Sequence, residues 1–86
     1  MNYDENITRR LKRLEGQIRG VLKMMDEGKD CKEVVSQLSA VRNASDTAIA
    51  YIVATNLEHC ILEDVEKGTD SRERIQTAVQ LLIKSR

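Results

Sequence analysis

Two cysteines, Cys31 and Cys60, are the residues of this chain best suited to covalent chemistry. They lie 29 positions apart, and 29 steps of about 100° make eight turns of an α-helix plus roughly 20°. If one helix joins them, the sulfurs share a face but lie about 43 Å apart. A disulfide needs Cα atoms within about 7 Å, so the two cannot bond within one chain. Two such helices, packed antiparallel about a twofold axis near Ser45 and Asp46, would bring unlike cysteines of two chains together.

The two thiols also differ in their electrostatic setting. Cys31 falls in the first turn of the predicted helix, between Lys29 and Lys32, where the positive end of the helix dipole favours a thiolate. Cys60 lies near the other end, among acidic residues that disfavour a thiolate. This difference fits an attacking and a resolving thiol in stepwise sulfur exchange. The alternative is that both cysteines are small buried hydrophobic residues.

A metal site is poorly supplied with ligands. Cu(I) prefers thiolate and imidazole, and a histidine one turn before Cys60 would add a ligand on the same face. That position holds Asn56, whose amide is a poor ligand for a soft metal. The one histidine, His59, points about 100° away from Cys60 on a helical wheel. No CxxC pair or zinc-like Cys/His spacing occurs, so we predict no metal ligands and no cofactor.

Composition and pattern predict an all-α protein. The 86 residues include no Pro, Phe or Trp and only four Gly, which favours helix over strand. Apolar residues at helical spacing predict a first helix from about Asp4 or Asn6 to Glu27. A second helix should run from Asp30 to just before Gly68, and a short third helix should follow. We interpret residues 1–86 as one helical domain with a long central helix.

The long central helix demands a partner. About 35 residues make a rod of roughly 50 Å, whereas a compact globule of this length is about 30 Å across. Such a rod overhangs any monomeric core, so we predict a homodimer or higher oligomer. Small residues near its midpoint would allow close approach of other helices. The alternative is a break between Asn43 and Asp46, which would give a monomer of four helices.

Hydropathy and cysteine content predict where in the cell the protein is located. No apolar run of 18 residues is present and the N-terminus lacks an apolar signal core, so we expect a cytoplasmic protein without a membrane segment. In a reducing cytoplasm, two cysteines favour reversible thiol chemistry or metal binding over a structural disulfide. No catalytic grouping of side chains is visible, and we predict that the chain is not an enzyme.

Basic charge is concentrated at the start of the chain. Residues 1–23 hold six Lys or Arg against three Asp or Glu, although the whole chain is neutral. Five of the six lie within an arc of about 120° on the first helix, opposite the apolar stripe, with Gly16 in the middle of the arc. These five residues are Arg9, Lys12, Arg13, Arg19 and Lys23. Such a face is often merely solvated, but two or four copies would form one surface able to neutralise many phosphates.

Several motifs together resemble the copper-sensitive operon repressor family (CsoR/RcnR-like). They are RLKRLEGQ at 10–17, Cys31, QLSA at 37–40 and NLEHC at 56–60, and they span nearly the whole chain. The resemblance implies an all-helical, disc-shaped tetramer of antiparallel dimers. It also implies repression of transcription by binding operator DNA without a helix-turn-helix. The resemblance further implies that the protein releases DNA when an inducer occupies a thiol site between subunits.

Within the family, this sequence is most similar to the branch that senses persulfides and represses sulfur-transferase operons. The copper branch has His at position 56, where this chain has Asn56. The opening MNYD and the segment MMDEGKDCK at 24–32 also look like the persulfide branch. The formaldehyde-sensing branch uses Pro at position 2 and a single cysteine, whereas this chain has Asn2 and two cysteines. Nickel or cobalt sensing needs more histidines than the one present.

The prediction is therefore a homotetrameric repressor of double-stranded operator DNA that responds to persulfides or polysulfides. Cys31 attacks the inducer, and Cys60 of the partner subunit resolves the product into a di- or polysulfide that releases DNA. The predicted DNA contacts are Arg9, Arg10, Lys12, Arg13 and Arg42, with Arg10 and Arg13 foremost. Two alternatives stay open: a Cu(I)-sensing repressor with the same two thiolates, and a helical adaptor that binds no DNA.

Overall fold

A computed structural model describes residues 3–84, and over that range the chain forms three α-helices and no strand. The helices are α1 (Glu5–Asp26), α2 (Cys31–Lys67) and α3 (Arg72–Lys84). The predicted all-α class with a long central helix is confirmed. Met1 and Asn2, which contributed to the resemblance, lie outside the described residues.

Local hydrogen bonds define both ends of helix α1. The Asp4 carboxylate caps the first turn, with its Oδ1 accepting the backbone N–H of Ile7 at 2.9 Å. At the other end Gly28 adopts a φ of 68°, which a side chain would disfavour. Its N–H donates to Met25 O at 3.1 Å, and the N–H of Lys29 donates to Met24 O at 2.9 Å. This pair of bonds is a Schellman motif, and it ends the helix as the glycine predicted.

Helix α2 is unbroken through its midpoint. It contains 37 residues, and two side chains near the centre bond back to its own carbonyl groups. Ser45 Oγ donates to Val41 O at 2.8 Å, and Thr47 Oγ1 donates to Asn43 O at 3.1 Å. Ser and Thr often bond to the i−4 carbonyl inside continuous helices, so these residues need not interrupt it. The alternative of a break between Asn43 and Asp46 is therefore wrong.

A second Schellman motif ends α2. Gly68 has a φ of 71°, and its N–H donates to Val65 O at 3.3 Å. The N–H of Thr69 donates to Asp64 O at 2.8 Å. Helix α3 then starts at Arg72, whose backbone N–H donates to the Asp70 side chain at 3.0 Å. The sequence predicted this start from Asp70, two residues before the first helical residue.

Two compact units can be distinguished, and α2 contributes to both. The first, Tyr3–Ala48, contains α1 and the beginning of α2. Its buried apolar residues are Ala48 and three α1 residues spaced seven apart: Ile7, Leu14 and Val21. The second unit contains residues 49–84 of the described range, with the remainder of α2 and all of α3. A single domain over residues 1–86 stays a prediction.

The second unit has a polar residue at its centre. Asp64 is only 5% exposed, and its two carboxylate oxygens are occupied by hydroxyl donors. Thr69 Oγ1 donates to Oδ1 at 2.8 Å and Ser71 Oγ donates to Oδ2 at 2.9 Å. Both donors lie in the connection between α2 and α3, so the carboxylate fixes the path of that connection. Ala78 of α3 is the buried apolar residue in this unit.

Many large apolar side chains remain exposed on each helix. On α1, Leu22 and Met25 are 55% and 59% exposed. The other exposed large residues include Leu11, Ile18, Val35, Leu38, Leu62, Val65, Ile75, Val79, Leu81, Leu82 and Ile83. Apolar side chains in stripes of this kind mark surfaces that a partner covers. Across residues 3–84, no helix has both the length and the hydropathy needed to span a bilayer.

Replacement of Asp64 by Asn should lower thermal stability in a pH-dependent way. The pKa of Asp64 lies below its ordinary value of 3.8 because Thr69 and Ser71 donate to the carboxylate, with the charges of Arg74 and Lys67 contributing less. A depressed pKa stabilises the folded state above the ordinary pKa, and that contribution is lost as pH falls through the folded-state pKa. An Asn side chain cannot accept from both hydroxyls, so we expect Asp64→Asn to unfold several degrees earlier at pH 7.

The difference in melting temperature between wild type and Asp64→Asn should become smaller below pH 3.8. Calorimetry at one fixed protein concentration measures it, because self-association would also shift the transition. Asp70→Asn serves as the control, since Asp70 is exposed and should change stability less. A gap that is the same at acidic and neutral pH would contradict this role for the Asp64 carboxylate.

Candidate functional site

Both cysteines are free thiols on α2. Cys31 is the first residue of the helix and is exposed, and Cys60 is half-buried. The helix between them is continuous, so their Cα atoms are much farther apart than the limit of about 7 Å for a disulfide. The structure therefore keeps the two thiols of one chain apart, as the sequence predicted.

Cys31 occupies the N-terminal end of α2. The Asp30 carbonyl accepts the N–H groups of Glu33 and Val34 at 3.0 and 3.1 Å, which closes the first turn just after this cysteine. The unpaired N–H groups of a first turn carry partial positive charge. Lys29 and Lys32 are both exposed beside it. An exposed sulfur in a positive setting is suited to attack an electrophilic sulfur from solvent.

Cys60 has a different set of neighbours. Its Sγ lies 4.0 Å from Oδ1 of Asn56, one helical turn earlier, so the thiol can donate a weak hydrogen bond to the amide. Position 56 is therefore the side-chain neighbour of this sulfur on α2. An imidazole there would reach the same sulfur, whereas the amide oxygen supplies only a hydrogen-bond acceptor.

A cation from α3 lies beside Asp64, one helical turn after Cys60. Arg74 forms an ion pair with Asp64, with 3.8 Å between Nη1 and Oδ1. The pKa of Arg74 is raised above its ordinary value, mainly by the negative charge of Asp64. Cys60 and Asp64 lie one turn apart on the same face of α2.

Glu63, an acidic residue close to Cys60 on α2, is already paired. Glu63 Oε1 accepts from Lys67 Nζ at 3.1 Å, and Glu63 Oε2 lies 3.4 Å from His59 Nε2. Lys67 is the main reason that the pKa of Glu63 lies below its ordinary value of 4.5. The His59 side chain is 73% exposed and contacts Glu63. The carboxylates that the sequence places around Cys60 are thus partly neutralised by Lys67 and Arg74.

The predicted basic face of α1 is exposed. Arg9, Lys12, Arg13, Arg19 and Lys23 are all accessible, and Arg42 on α2 is exposed as well. Arg10 is half-buried, and its Nε donates to Asn6 Oδ1 at 3.2 Å, which orients its guanidinium along the helix. A Cβ added at Gly16 would meet only the tip of Arg19, at 3.9 Å, so packing within the chain does not require this glycine.

Part of this face is concave. Tyr3, Thr8, Arg9 and Lys12 line a shallow depression at the start of α1 together with Asp4 and Glu5. The two cations and the two hydroxyl groups, of Tyr3 and Thr8, are groups that bind phosphate oxygens, while the two carboxylates limit the positive charge. Among residues 3–84, no three His, Cys, Asp or Glu side chains are grouped so that they could hold a metal ion.

Sequence reasoning missed Arg74 and the buried state of Asp64. Arg74 lies 14 positions after Cys60, and no short motif joins them. The available signal was the connection at Gly68, which is too short to carry α3 away from the end of α2. That signal predicts that early α3 residues return toward late α2 residues, but it does not select which side chain pairs with Asp64.

Comparison with known proteins gives one family and several relatives. A family model described as metal-sensitive transcriptional repressor matches residues 3–84. The uncharacterized protein YrkD of Bacillus subtilis (strain 168) is 59% identical over 63 residues, which are 73% of this chain and 100% of that protein.

Two relatives are named as copper sensors. The copper-sensing transcriptional repressor RicR of Mycobacterium tuberculosis is 38% identical over 74% of this chain and 67% of its own length. The copper-sensing transcriptional repressor CsoR of Bacillus subtilis is 33% identical over 74% of this chain, and the match spans 63% of that relative. Among solved structures, the nickel-responsive transcriptional regulator InrS matches with a TM-score of 0.79 and 29% identity, over 99% of this chain and 94% of that one.

Proposed function

We propose a specific inducer for this chain, which belongs to the metal-sensitive transcriptional repressor family: a persulfide or polysulfide that links Cys31 of one protomer to Cys60 of another. Membership of this family, which the sequence motifs predicted, is confirmed. In the proposed function the reduced protein binds operator DNA and the linked protein releases it. The observation that carries the proposal is the pair of free thiols on one unbroken helix, with Asn56 rather than a metal-binding side chain beside Cys60.

The proposed chemistry has two steps. The Cys31 thiolate attacks the outer sulfur of a hydropersulfide, forms a persulfide on Cys31 and expels the donor thiol. Cys60 of the partner subunit then attacks the Cys31 sulfur and expels hydrogen sulfide, which leaves a disulfide between subunits. The sulfane sulfur of the donor is the oxidant, since it leaves as sulfide while the two thiols are oxidised. Exposed Cys31 suits the first step and half-buried Cys60 suits the second.

Self-association is part of the proposal. The predicted assembly is a disc-shaped homotetramer of antiparallel dimers, which would place each Cys31 near Cys60 of the partner subunit. The exposed apolar stripes on all three helices support it, because isolated protomers would leave large side chains such as Leu22 and Val65 in water. The link between subunits would favour an arrangement whose basic faces no longer fit DNA, which is a population shift between two states of different DNA affinity.

A Cu(I) sensor that uses the same two thiolates is the second candidate. The similarity to RicR and CsoR favours it, as both are named copper sensors. Asn56 weighs against it, because the amide offers Cu(I) a poor ligand at the position nearest the Cys60 sulfur. We therefore place the sulfur chemistry first.

Mixing two single-cysteine variants tests the link between subunits. Neither Cys31→Ala nor Cys60→Ala should form a covalent dimer when treated with sodium tetrasulfide. A mixture allowed to exchange subunits should form one, because each dimer then holds one thiol of each kind. Non-reducing gels and intact-mass spectrometry measure the products, with peroxide as the comparison oxidant. A bridge within a single wild-type chain, or no linked species at all, would contradict the proposal.

Replacement of a predicted DNA-contacting arginine by alanine should weaken DNA binding and make the DNA affinity less dependent on salt. Arg13→Ala removes an exposed cation from α1, and the slope of log affinity against log salt should fall by about 0.9 for each phosphate that is no longer neutralised. Fluorescence anisotropy with a labelled duplex at low and moderate salt measures the slope.

Arg72→Ala is the matched control for this DNA test. The Arg72 side chain is 89% exposed and pairs with Asp70, but it lies outside the basic face. Its removal should leave the slope unchanged. If wild-type protein does not shift the duplex even at low salt, the chain is a helical adaptor instead.

Asn56→His should raise the affinity of the thiol site for Cu(I). An imidazole one turn before Cys60 adds a ligand that Cu(I) prefers, so affinity should rise by about tenfold or more. Competition with a strong Cu(I) chelator measures the change, and His59→Asn is the control because His59 contacts Glu63. If wild-type protein already binds Cu(I) as tightly as the variant and releases DNA on binding, copper is the inducer.

A further inference from the structure

The side of α1 that faces away from the buried residues has an unusual composition. On a helical wheel it forms an arc of about 120° that lies opposite Leu14 and the other buried residues of the helix. The cations of this arc are all exposed: Arg9, Lys12, Arg13, Arg19 and Lys23. The other α1 residues in the arc are Glu5, Gly16 and Gly20. The basic face therefore has no apolar side chain, and at the two glycines it has no side chain at all.

Contacts within the chain explain neither glycine. A Cβ added at Gly20 would meet no heavy atom within 4 Å, and one added at Gly16 would meet only Nη2 of Arg19, at 3.9 Å. Positive φ values occur at Gly28 and Gly68, and at neither of these two positions. Glycine inside a helix is unfavourable, because it loses more backbone freedom on folding than alanine does. Two glycines on one exposed face of a helix therefore indicate a requirement from outside the chain.

The glycines lie in line with cations along the helix. Arg9, Gly16 and Lys23 are spaced seven residues apart, and each step is about 10.5 Å along the axis with a rotation of only about 20°. Gly20 follows Arg13 at the same spacing, in the adjacent row. Each glycine is thus a low point on a surface whose raised parts are cationic. The row from Arg9 to Lys23 is about 21 Å long, and a DNA strand carries one phosphate per about 3.4 Å of helix axis, so the row can face several phosphates.

We propose that Gly16 and Gly20 are positioning residues of the DNA interface: without side chains, they let the phosphodiester backbone of duplex DNA come against the backbone of α1, between the flanking cations. This inference rests on the proposed function and extends it, because it gives a steric role to residues that carry no charge. Close approach lets Arg9, Arg13 and Lys23 contact phosphates on both sides of the strand. The attraction between opposite charges grows as their distance falls, so a deeper position of the strand strengthens each of these contacts.

Charge selects DNA, rather than a second copy of the chain, as the partner of this face. Two basic faces packed together would place like charges opposite each other, which is unfavourable. The exposed apolar residues of α1 lie on another side, since Leu11, Ile18 and Leu22 are each at least about 120° from Gly16 on the wheel. Protomers can therefore associate through the apolar side of α1 while the basic face stays open to DNA. The arc contains no aromatic side chain on which the bases of a single strand could stack.

A graded series of substitutions tests the proposal in the full-length, reduced protein. Gly16→Ala, Gly16→Gln and Gly20→Gln add uncharged bulk to the basic face. Fluorescence anisotropy with a labelled duplex of mixed sequence at low salt measures the affinity. We expect a loss of about threefold for Gly16→Ala and of about tenfold for each Gln variant. The slope of log affinity against log salt should stay unchanged, since no cation is removed.

The melting temperature separates this steric role from a structural one. Gly16→Ala should melt a few degrees above wild type, because Ala is the better helix former, and yet bind DNA more weakly. Ser36→Gln adds the same side chain at an exposed position of α2, and Gln17→Ala changes helix propensity at an exposed α1 position outside the arc. Both of these controls should bind DNA as wild type does.

Several results would overturn the inference and leave the proposed function standing. One is wild-type affinity in all the glycine variants. Another is an equal loss in Gly16→Ala and Gly16→Gln, which would show that DNA binding needs a flexible helix rather than close approach. A third is a smaller assembly of Gly16→Gln in analytical ultracentrifugation, which would place a second copy of the chain against the glycines.

Failure of the proposed function gives different results. If the wild-type protein binds no duplex even at low salt, the DNA interface is wrong and this inference falls with it. If tetrasulfide fails to link Cys31 to Cys60 but the glycine variants lose affinity as expected, the sulfur chemistry is wrong and the role of Gly16 and Gly20 stands.

Discussion

The continuity of α2 is the constraint on which the chemistry of this chain depends. A single helix of 37 residues contains both cysteines, and no helix can bend enough to bring its first residue to a position eight turns later. Any bond or shared ligand between the two sulfurs therefore requires a second chain. In the proposed function, self-association and thiol chemistry are therefore coupled, because a site built from both sulfurs would be incomplete until two chains meet. The exposed apolar side chains show that the protomer has the surfaces for such contacts.

The ends of α2 give the two thiols unequal surroundings. At the start, Cys31 is exposed in the first turn, beside two exposed lysines and the positive end of the helix dipole. Near the other end, Cys60 is half-buried, and its sulfur lies 4.0 Å from the amide oxygen of Asn56. The same helix therefore provides one accessible thiol and one half-buried thiol. This asymmetry suits a reaction with two ordered steps.

Asp64 joins the end of α2 to the connection and helix that follow it. Burial of a carboxylate is costly unless donors compensate it, and here Thr69, Ser71 and Arg74 do so. The residue that fixes the connection between α2 and α3 also forms an ion pair with Arg74 of α3. These partners give a physical reason for an acidic residue at a buried position.

The sequence by itself determined the helices and their ends, since those depend on neighbouring residues: the Asp4 cap, and the glycines at 28 and 68 that accept positive φ. It also determined that Cys31 starts α2 and that a helix without Pro or an internal stop separates it from Cys60. Only the tertiary structure decided which α1 apolar residues are buried, and that Arg74 of α3 pairs with a buried Asp64 on α2. Those contacts join residues on different helices, and helical periodicity gives the facing side of each helix but not the register of one against the next.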